Sequence, residues 1–519
     1  MKAILTGLAL TILAIPSACF AWRCREMPQL GAWHDDAIYW ISARSLATGH
    51  GYTIAHLPTQ PPQTKYPPLY PALMALLPDN LAAATLFQWT FAPLFLVLAW
   101  FWFRRCTFGP ASSWGLTLLL AAAPMTTLFA VSLMTELPFT VALLGLILLM
   151  EDRDVSTGRA ALAGALAVAA FLLRTNAIVL VFAVPALLAY RRRFRQALAF
   201  AAPLVAAIAG WQGWCAVHRF PARDDITAYY TSYTAFYLRT FSWTEFPHRV
   251  WTNADAIIES LAKLVLFYTS EGPWLRAVSW VITAAAVAGV VALFRRGIRY
   301  YPLFGALFAA VLLLWQYPPD QRFVYPLFPL YVAGLATRLT EVASLGVRSW
   351  KTATGANRIA AIPVLAAIAA LVAGSLWSTT ESTVVLLPDY FAGRRSELSR
   401  LTPVWRWIAA ATPSDARFVS CDDTLLYLHT GRRSYSQPIL PSVVYGSRPI
   451  PDYIAGLPAL WRSLGVTHVL LTDYDFQRDL HAAGHDALAR LLSDPRRFRL
   501  VYTDQAARVY TLPSENEPH

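Results

Sequence analysis

The chain has 519 residues, of which 56% are hydrophobic and 14% charged, and its mean hydropathy is +0.42. Soluble domains carry roughly 25% charged residues and single soluble cores stop growing at about 250–300 residues, so this composition excludes a soluble enzyme, a disordered chain and a disulfide-stapled scaffold. The net charge of +12 would suggest nucleic-acid binding in a soluble protein, but here the position of the basic residues decides its meaning. A multi-span membrane protein is therefore predicted.

Eleven apolar runs are long enough, or nearly long enough, to cross a bilayer as helices, which takes ~20 mostly apolar residues. The first run also resembles a secretory signal peptide, because Lys2 precedes its apolar stretch and small residues follow it. Under either interpretation the chain after residue 22 lies outside the cytoplasm. The runs cover residues 3–21, 81–103, 112–131, 135–150, 159–173, 176–190, 196–217, 274–294, 301–316, 324–339 and 359–377.

Basic residues in the short loops indicate the topology. If the N-terminus is cytoplasmic, the dense clusters at residues 104–105, 191–195 and 295–299 all fall on the cytoplasmic side. One miscounted span would place the last two clusters on opposite faces of the membrane. The topology is therefore self-consistent, and the net charge requires no nucleic-acid partner.

Most of the polar sequence falls on the opposite, outer side. It comprises a first loop over residues 22–80, an aromatic-rich loop over residues 218–273, a short loop over residues 317–323 and the tail. The predicted organisation is a transmembrane domain over residues 1–377, followed by a C-terminal soluble α/β domain over residues 378–519.

The tail alternates patterns that are typical of strands and of helices, as a small α/β domain requires. The stretch from Tyr427 to Arg433 is predicted to form a strand and a turn, with a sugar site as the alternative. The predicted strands lie at residues 417–421, 467–472 and 497–503, and the predicted helices at residues 404–411, 452–464 and 479–492.

Two adjacent carboxylates, Asp35 and Asp36, stand just outside the first span in an aromatic segment. Ionisable groups close to membrane depth are costly, so they are candidates for function by default. From Asp36 onward, the spacing of Ile38, Ile41 and Leu46 predicts an amphipathic helix. The alternative is that one of the two aspartates only caps this helix.

Lys65 is one of only four lysines in a chain that otherwise uses arginine. Pro67, Pro68 and Pro71 follow it, and these prolines exclude a helix and favour an extended backbone. An ammonium held rigidly above the apolar region suits a phosphate as a point charge. The alternative is a lysine that snorkels towards lipid headgroups.

Three more charged residues are predicted on the outer side, namely Glu136, Arg174 and Arg322. Glu136 lies in a turn between two apolar runs, and the alternative for it is a solvated turn residue. Either arginine taken alone could be a snorkelling side chain. Together with Lys65 they supply three cations to the side that also carries the acidic residues, as a reaction on an anionic, membrane-held substrate requires.

Three histidines, His34, His218 and His248, are also predicted outside. Histidine and carboxylate could together form a metal site. These three histidines do not show the helical His-x3-His spacing of a metal site, so their spacing alone does not predict a metal.

The first-loop motifs resemble those of the GT-C glycosyltransferases, in the branch that holds protein O-mannosyltransferases and the aminoarabinose transferase of lipid A. The resemblance rests on Asp35-Asp36-x-x-Tyr39 and on Lys65-x-Pro67-Pro68-Leu69-Tyr70-Pro71. The family more often has Asp-Glu where this chain has Asp35-Asp36, which puts the role of the second carboxylate in doubt.

Later motifs follow the order of the same family. Thr135-Glu136-x-Pro138, Arg174-Thr-Asn176 and Arg322-Phe-x-x-Pro326 are each similar to one of its motifs, and residues 413–433 look like the periplasmic domain of its bacterial members. The resemblance spans nearly the whole chain. It implies an α-helical polytopic fold in the bacterial plasma (inner) membrane.

The resemblance also implies a donor and an acceptor. The donor is a sugar on a polyprenyl phosphate, and the acceptor is a hydroxyl of a lipid, a glycan or a protein. Asp35 is the candidate general base, and Lys65, Arg322 and Arg174 are the candidates for stabilising the departing phosphate. For Asp36 and Glu136 two roles stay open, which are positioning and binding of a divalent metal ion.

The aromatic-rich loop has two interpretations. Its rings form either part of an apolar groove for the isoprenoid or an interfacial aromatic belt. They are Tyr229, Tyr230, Tyr233, Phe236 and Tyr237.

Two other classes of function remain open at this point. A transporter or flippase of lipid-linked sugars would place charges inside spans and break a helix in each half, whereas these charges lie in outer loops. In a non-catalytic membrane subunit of a glycan-assembly complex, the acidic loop would be dispensable.

Overall fold

The computed structural model describes residues 10–512 except residues 153, 223, 267–271, 353–355, 438–439, 447, 474 and 476–480. Helices make up 71% of the structure, and the rest includes a small sheet. The start of the first predicted run, residues 3–9, lies outside the described residues. The chain divides into two compact units.

The helices follow one another through most of the chain. In order they are α1 (Ile15–Arg23), α2 (Asp35–Ala47), α3 (Leu69–Ala75), α4 (Leu81–Trp89), α5 (Phe91–Arg105), α6 (Pro110–Ala122), α7 (Pro124–Val131), α8 (Glu136–Met150), α9 (Thr157–Leu173), α10 (Leu180–Tyr190), α11 (Phe194–Val217), α12 (Asp225–Thr231), α13 (Tyr233–Thr240), α14 (Phe246–Val265), α15 (Pro273–Arg295), α16 (Tyr300–Leu313), α17 (Gln321–Val324), α18 (Phe328–Thr352), α19 (Ala356–Glu381) and α20 (Leu387–Ala411).

The C-terminal part mixes short helices with strands. Its elements are β1 (Arg417–Val419), α21 (Asp423–Thr430), β2 (Arg433–Tyr435), α22 (Pro441–Val444), α23 (Ile450–Ala455), α24 (Leu457–Ser463), β3 (His468–Thr472), α25 (His481–Leu492), β4 (Arg499–Thr503) and β5 (Ala507–Thr511). Short 3₁₀ segments at Thr175–Val179 and Tyr325–Leu327 and a π-helical segment at Ser382–Leu386 complete the assignment.

The first unit comprises residues 1–27, 81–211 and 250–390. Every predicted apolar run from residue 81 onward coincides with one or two helices of the list above. A helix is expected for such a run, because it pairs all backbone N–H and C=O groups within the segment where lipid offers no hydrogen-bond partner. Between α6 and α7 the axis bends by 59°, at Pro124.

The helices differ in whether their length suffices to cross a bilayer. Among the described residues, four helices are long and apolar enough to cross a bilayer, or five if the bent pair α6–α7 is one span. Five further apolar helices have only 10–17 residues, and a helix of about 15 residues is ~22 Å long against a hydrocarbon core of ~30 Å. The count of about eleven spans therefore stays a prediction.

The second unit comprises residues 28–80, 212–249 and 391–519, so it cuts across the linear division that the sequence predicts. One hydrophobic core joins all three stretches. It includes Ile38 and Ile54 of the first, Phe236 of the second, and Val419 and Trp461 of the third. The segments over residues 28–80 and 212–249 and the C-terminal sheet thus fold as a single body that supports the acidic segment.

The sheet of the second unit has, in the described residues, five strands in the order β2-β1-β3-β5-β4. Strand β1 pairs parallel with β2 and β3, and β5 pairs antiparallel with β3 and β4. The three predicted strands are β1, β3 and β4. The prediction of a strand from Tyr427 was wrong, because residues 423–430 form α21, and only after left-handed Gly431 does β2 begin.

The predicted helices of the tail are present with altered bounds. Residues 404–411 are the end of the longer helix α20, and residues 452–464 form two helices, α23 and α24. Helix α25 begins at His481, while residues 479–480 lie outside the described residues. The aromatic-rich loop contains α14, a long helix that the sequence analysis did not predict.

Candidate functional site

The two adjacent aspartates at the start of α2 differ in what holds them. Asp36 is fully buried, and its two carboxylate oxygens accept backbone N–H bonds from Gly31 at 3.0 Å and Ala37 at 2.9 Å. Burial raises the pKa of Asp36 to about 7. Because backbone donors occupy both oxygens, Asp36 serves to cap α2 and its entry turn.

Asp35, unlike Asp36, is only partly buried. The hydroxyl of Tyr66 donates a hydrogen bond to its Oδ1 atom. Burial, reinforced by the charge of Asp35, raises the pKa of Tyr66 well above its ordinary value, so Tyr66 keeps its proton and acts as the donor. Of the two aspartates, Asp35 is thus the one that a substrate can approach.

Lys65 lies among tyrosine rings. Its Nζ atom is 3.4 Å from the ring centroid of Tyr229, 5.1 Å from that of Tyr66, 5.2 Å from that of Tyr230 and 5.6 Å from that of Tyr233. Desolvated contacts between a cation and a ring are worth ~2 kcal/mol. Tyr229, Tyr230 and Tyr233, which the sequence analysis assigned to a lipid groove or an aromatic belt, therefore lie around this ammonium.

The backbone around Lys65 is fixed by side chains. Gln63 accepts the N–H bonds of Lys65 and Tyr66 at 3.0 and 3.3 Å, and the Tyr52 hydroxyl donates to the Tyr66 carbonyl at 2.9 Å. The indole of Trp214 donates to the Gln63 carbonyl at 3.0 Å. These side chains thus hold residues 63–66, which lie outside any helix. Below, the name Lys65 cluster refers to Asp35, Lys65, Tyr66 and Tyr229.

The first unit holds the other predicted residues. Nη1 of Arg174 lies 2.5 Å from Oε1 of Glu136, whose side chain is fully buried, and it also donates to the Thr135 hydroxyl at 3.2 Å. Glu136 opens α8, whereas Arg174 ends α9. The solvated-turn interpretation of Glu136 was therefore wrong, because a buried carboxylate requires a partner, and Arg174 is that partner.

Phe323 links this pair to Arg322. The ring centroid of Phe323 is 5.7 Å from the guanidinium carbon of Arg174 and 4.8 Å from that of Arg322. The backbone N–H of Arg322 donates to Asp320 at 3.0 Å, and its side-chain Nε lies 3.8 Å from the same oxygen. Glu136, Arg174, Asp320, Arg322 and Phe323 are called the Arg174 cluster below.

In the part of the chain that the structure describes, no group of three or more His, Cys, Asp and Glu side chains is arranged to hold a metal ion. Each oxygen of Asp36 accepts one backbone N–H bond, and one oxygen of Glu136 binds Arg174. A metal-binding role for Asp36 and Glu136 stays a prediction.

Arg249 is a candidate that the sequence analysis missed. Its side chain is 1% exposed, and its three guanidinium nitrogens have no hydrogen-bond acceptor among the described residues. The guanidinium carbon lies 5.1 Å from the Phe241 ring and 4.8 Å from the Tyr445 ring, and Glu245 is 3.8 Å away. A buried cation requires an anion, and the sequence signal for it was an arginine amid aromatic residues at the start of an amphipathic helix.

Asp423 was missed as well, although two adjacent acids before a helix marked it. It is fully buried and lies 2.7 Å from Nε2 of His34, the residue before Asp35. The predicted site residues thus form two groups, with Asp35, Asp36 and Lys65 in the second unit and Glu136, Arg174 and Arg322 in the first. That all six face one pocket stays a prediction.

Solved membrane glycosyltransferases share this fold. ArnT from Cupriavidus metallidurans, in a crystal structure with undecaprenyl phosphate, is similar over 93% of this chain and 95% of its own, with a TM-score of 0.51 and 15% identity. The archaeal oligosaccharyltransferase AglB from Archaeoglobus fulgidus, in complex with an inhibitory peptide and a dolichol-phosphate, is similar over 99% of this chain and 75% of its own, with a TM-score of 0.52 and 14% identity.

No family model and no curated protein matches the sequence. At these identities the structural likeness shows the fold, and both neighbours are GT-C membrane glycosyltransferases. The predicted resemblance to that superfamily is therefore confirmed at the level of the fold. The apolar helices and this fold define a multi-pass membrane protein.

Proposed function

We propose that the protein is an integral-membrane glycosyltransferase that moves a sugar from a polyprenyl phosphate to a hydroxyl acceptor on the outer face of the bacterial plasma membrane. The observation that carries this proposal is the Lys65 cluster. In it, Tyr66 binds the carboxylate of Asp35 while its chain neighbour Lys65 presents an ammonium. A base for an alcohol and a cation for a phosphate are the two groups that this reaction needs.

The residues support one sequence of events. Asp35 accepts the proton of the acceptor hydroxyl as that oxygen bonds to the anomeric carbon. The bond between this carbon and the phosphate oxygen breaks at the same time, and polyprenyl phosphate leaves with the electron pair. Attack from the face opposite the phosphate inverts the anomeric centre. No acid is required, because a phosphate is already a good leaving group.

The candidate cations for binding the phosphate differ in the partners that they already have. Lys65 lies among rings, and the buried guanidinium of Arg249 donates no hydrogen bond among the described residues, although Glu245 lies 3.8 Å away. Arg174 bonds to Glu136, and Arg322 lies 3.8 Å from Asp320. We therefore propose Lys65 as the main phosphate ligand and give Arg249, Arg322 and Arg174 supporting roles.

The structural neighbours support the choice of donor. ArnT was solved with undecaprenyl phosphate and AglB with a dolichol-phosphate. The acceptor is a lipid, a glycan or a protein. Within residues 1–377, the apolar helices are proposed to lie in the bilayer, whereas the loops over residues 22–80 and 218–273 are proposed to lie in the periplasm together with the C-terminal part over residues 378–519.

The full chain in lipid nanodiscs provides the test. It is given undecaprenyl phosphate carrying a labelled hexose, pentose or amino pentose, together with lipid A, an envelope polysaccharide or a hydroxyl-bearing peptide. We expect a new glycoside of inverted configuration by mass spectrometry and NMR, and a rate at least ~100-fold lower for Asp35→Ala. Asp415→Asn, at an exposed position, is the control.

Two outcomes would reject the proposal. Movement of the labelled lipid between leaflets of proteoliposomes without a new glycosidic bond would instead identify a transporter. The protein would instead be a non-catalytic subunit if it neither moves the lipid nor transfers sugar from any donor, but binds partner proteins of a glycan-assembly complex.

A further inference from the structure

A buried polar network adjoins the acidic pair and joins separate parts of the chain. At its centre is the carboxylate of Asp423, the first residue of α21, which is fully buried. Nε2 of His34 lies 2.7 Å from its Oδ1, the Tyr230 hydroxyl donates to its Oδ2 at 3.0 Å, and Nε2 of His56 lies 3.2 Å from Oδ2. The glycosyl transfer proposed above uses none of these four side chains.

The network ends on a residue with an unusual backbone. His34 has φ +63° and ψ −48°, the geometry of a γ-turn in which the N–H of Asp35 donates to the carbonyl of Trp33 at 2.7 Å, directly before α2. Such a sparsely populated backbone conformation costs roughly 1–3 kcal/mol, and it persists where the surroundings impose it. The bond to Asp423 and the 3.0 Å contact with the Tyr230 hydroxyl hold the ring of His34 and so impose this conformation.

Helix α21 also packs on the turn itself. A Cβ atom on Gly31, whose φ is +82°, would lie 2.6 Å from Cγ of Leu425. The N–H group of this same Gly31 donates to Asp36. On the other side, the N–H group of Ser434 donates to the carbonyl of His56 at 2.9 Å. The C-terminal segment therefore fixes the acidic turn at more than one point.

The charges of the network favour a stable ion pair. Burial alone lowers the pKa of His34, but Asp423 raises it above the ordinary value, with smaller opposing effects of Lys65 and Asp35. Burial alone raises the pKa of Asp423, but His34 and His56 bring it below the ordinary value. The anionic form of Asp423 and the cationic form of His34 thus favour each other, while burial lowers the pKa of His56.

We propose that Asp423 is a positioning residue for the glycosyl transfer: by holding His34 it fixes the start of α2 and so aims the carboxylate of Asp35 at the acceptor hydroxyl. This proposal rests on the proposed function. Asp423 itself does not meet the substrate, because its oxygens are buried against His34, His56 and Tyr230. A segment nearly 400 residues away in the sequence thereby sets the geometry of the base.

The test compares Asp423→Asn with Asp415→Asn, which removes an exposed carboxylate of the same segment. Both full-length variants are measured in nanodiscs with the donor and acceptor on which the unaltered protein is active. Misplacement of a catalytic group by about 1 Å costs up to ~100-fold in rate. We expect kcat to fall ~10–100-fold for Asp423→Asn, with KM for the donor and the affinity for undecaprenyl phosphate within twofold of the control.

Two further measurements separate positioning from folding. In hydrogen–deuterium exchange, Asp423→Asn should speed exchange at residues 31–40 and leave the strands β3 and β5 as slow as in the control. In a double-mutant cycle, Asp423→Asn added to His34→Ala should lower kcat no further than His34→Ala alone, because the effect travels through His34.

The outcomes are distinct. A kcat equal to that of Asp415→Asn, or faster exchange throughout the second unit, would overturn the positioning role. If the unaltered protein transfers sugar from none of the donors, the proposed function fails, and exchange at residues 31–40 still decides whether Asp423 holds the acidic turn. Unchanged exchange there would then overturn the inference as well.

Discussion

The Lys65 cluster and the Arg174 cluster contain similar residue types but treat their cations differently. In the Arg174 cluster, the guanidinium of Arg174 is bonded to a buried carboxylate, that of Glu136. In the Lys65 cluster, the ammonium lies over the face of Tyr229, and the carboxylate of Asp35 is held by a hydroxyl. One cluster pairs opposite charges, whereas the other holds its cation against rings.

This difference indicates separate roles. A carboxylate cancels the charge of its partner, whereas a tyrosine ring attracts a cation through its quadrupole and leaves its net charge in place. The proposed function places the phosphate chemistry at the Lys65 cluster, and the ion pair of the Arg174 cluster joins α8 to α9.

The largest expected effect concerns the Arg174 cluster. Glu136→Gln should lower the stability of the protein by ~3–5 kcal/mol, because it leaves a mostly buried guanidinium without its counter-charge. Thermal unfolding in detergent measures the change, with Asp154→Asn, which breaks an exposed pair with Arg193, as a control worth less than ~1 kcal/mol. Glu136→Gln combined with Arg174→Met should recover stability, and failure to recover would contradict the pairing role.

The next effect concerns the cation among the tyrosines. Lys65→Met should lower the transfer rate ~100–1000-fold, because the charge that grows on the departing phosphate loses its stabilising partner. Steady-state kinetics in nanodiscs provides the measurement. Lys263→Met, which removes a lysine paired with Glu259 on α14, is the matched control. Equal rates for the two variants would move the phosphate site away from the Lys65 cluster.

A smaller effect concerns the capping aspartate. Asp36→Asn should change stability by ~1–3 kcal/mol, because the amide group faces a backbone donor that the carboxylate accepts. The pKa of Asp36 is raised to about 7, so the folded protein binds this proton more tightly than the unfolded chain, and stability falls as pH rises from about 4 to about 7.

The variant removes that contribution, so its stability should depend less on pH across the same window. Unfolding temperatures measured at intervals between about pH 4 and pH 7 show the slope, and Asp415→Asn should keep the slope of the unaltered protein. An unchanged slope in Asp36→Asn would show that the carboxylate is not buried as described.

The smallest effect concerns the hydroxyl of Tyr66. Tyr66→Phe removes one hydrogen bond to a carboxylate, worth ~1.5–3 kcal/mol, and the ring stays to face Lys65. We expect a fall in kcat of about tenfold with little change in stability. Tyr427→Phe in α21 is the control, and a fall as deep as that of Lys65→Met would indicate that Tyr66 itself takes part in the proton transfer.

The sequence predicted those features that local pattern decides. The predicted apolar runs from residue 81 onward are helices, and the spacing after Asp36 correctly predicted the helix α2. Its amphipathic character was predicted wrongly, because residues 36–43 are all buried and not only one apolar stripe. The segment from Tyr427 to Arg433 shows where local pattern fails to predict secondary structure. Leu425 and Leu426 are both buried, so α21 packs on more than one face. The hydrophobic period of such a short run does not distinguish a helix from a strand.

The sequence did not predict contacts between distant segments. The bond from His34 to Asp423 joins residues 389 positions apart, and no periodicity in either segment marks it. Arg249 belongs to the same class, because its burial depends on Tyr445 of the C-terminal segment. The family resemblance distinguished Asp35 from Asp36, but their local pattern did not show that the backbone turn at Gly31 binds Asp36 and leaves Asp35 the more accessible of the two.

The most direct test of the central claim is a side-by-side measurement of kcat for Asp35→Asn and Asp36→Asn under donor saturation. With undecaprenyl-phosphate affinity unchanged in both, we predict a loss of at least ~100-fold for Asp35→Asn and a rate within tenfold of the unaltered protein for Asp36→Asn. The reverse order, or equal rates for both variants, would contradict the assignment of Asp35 as the base.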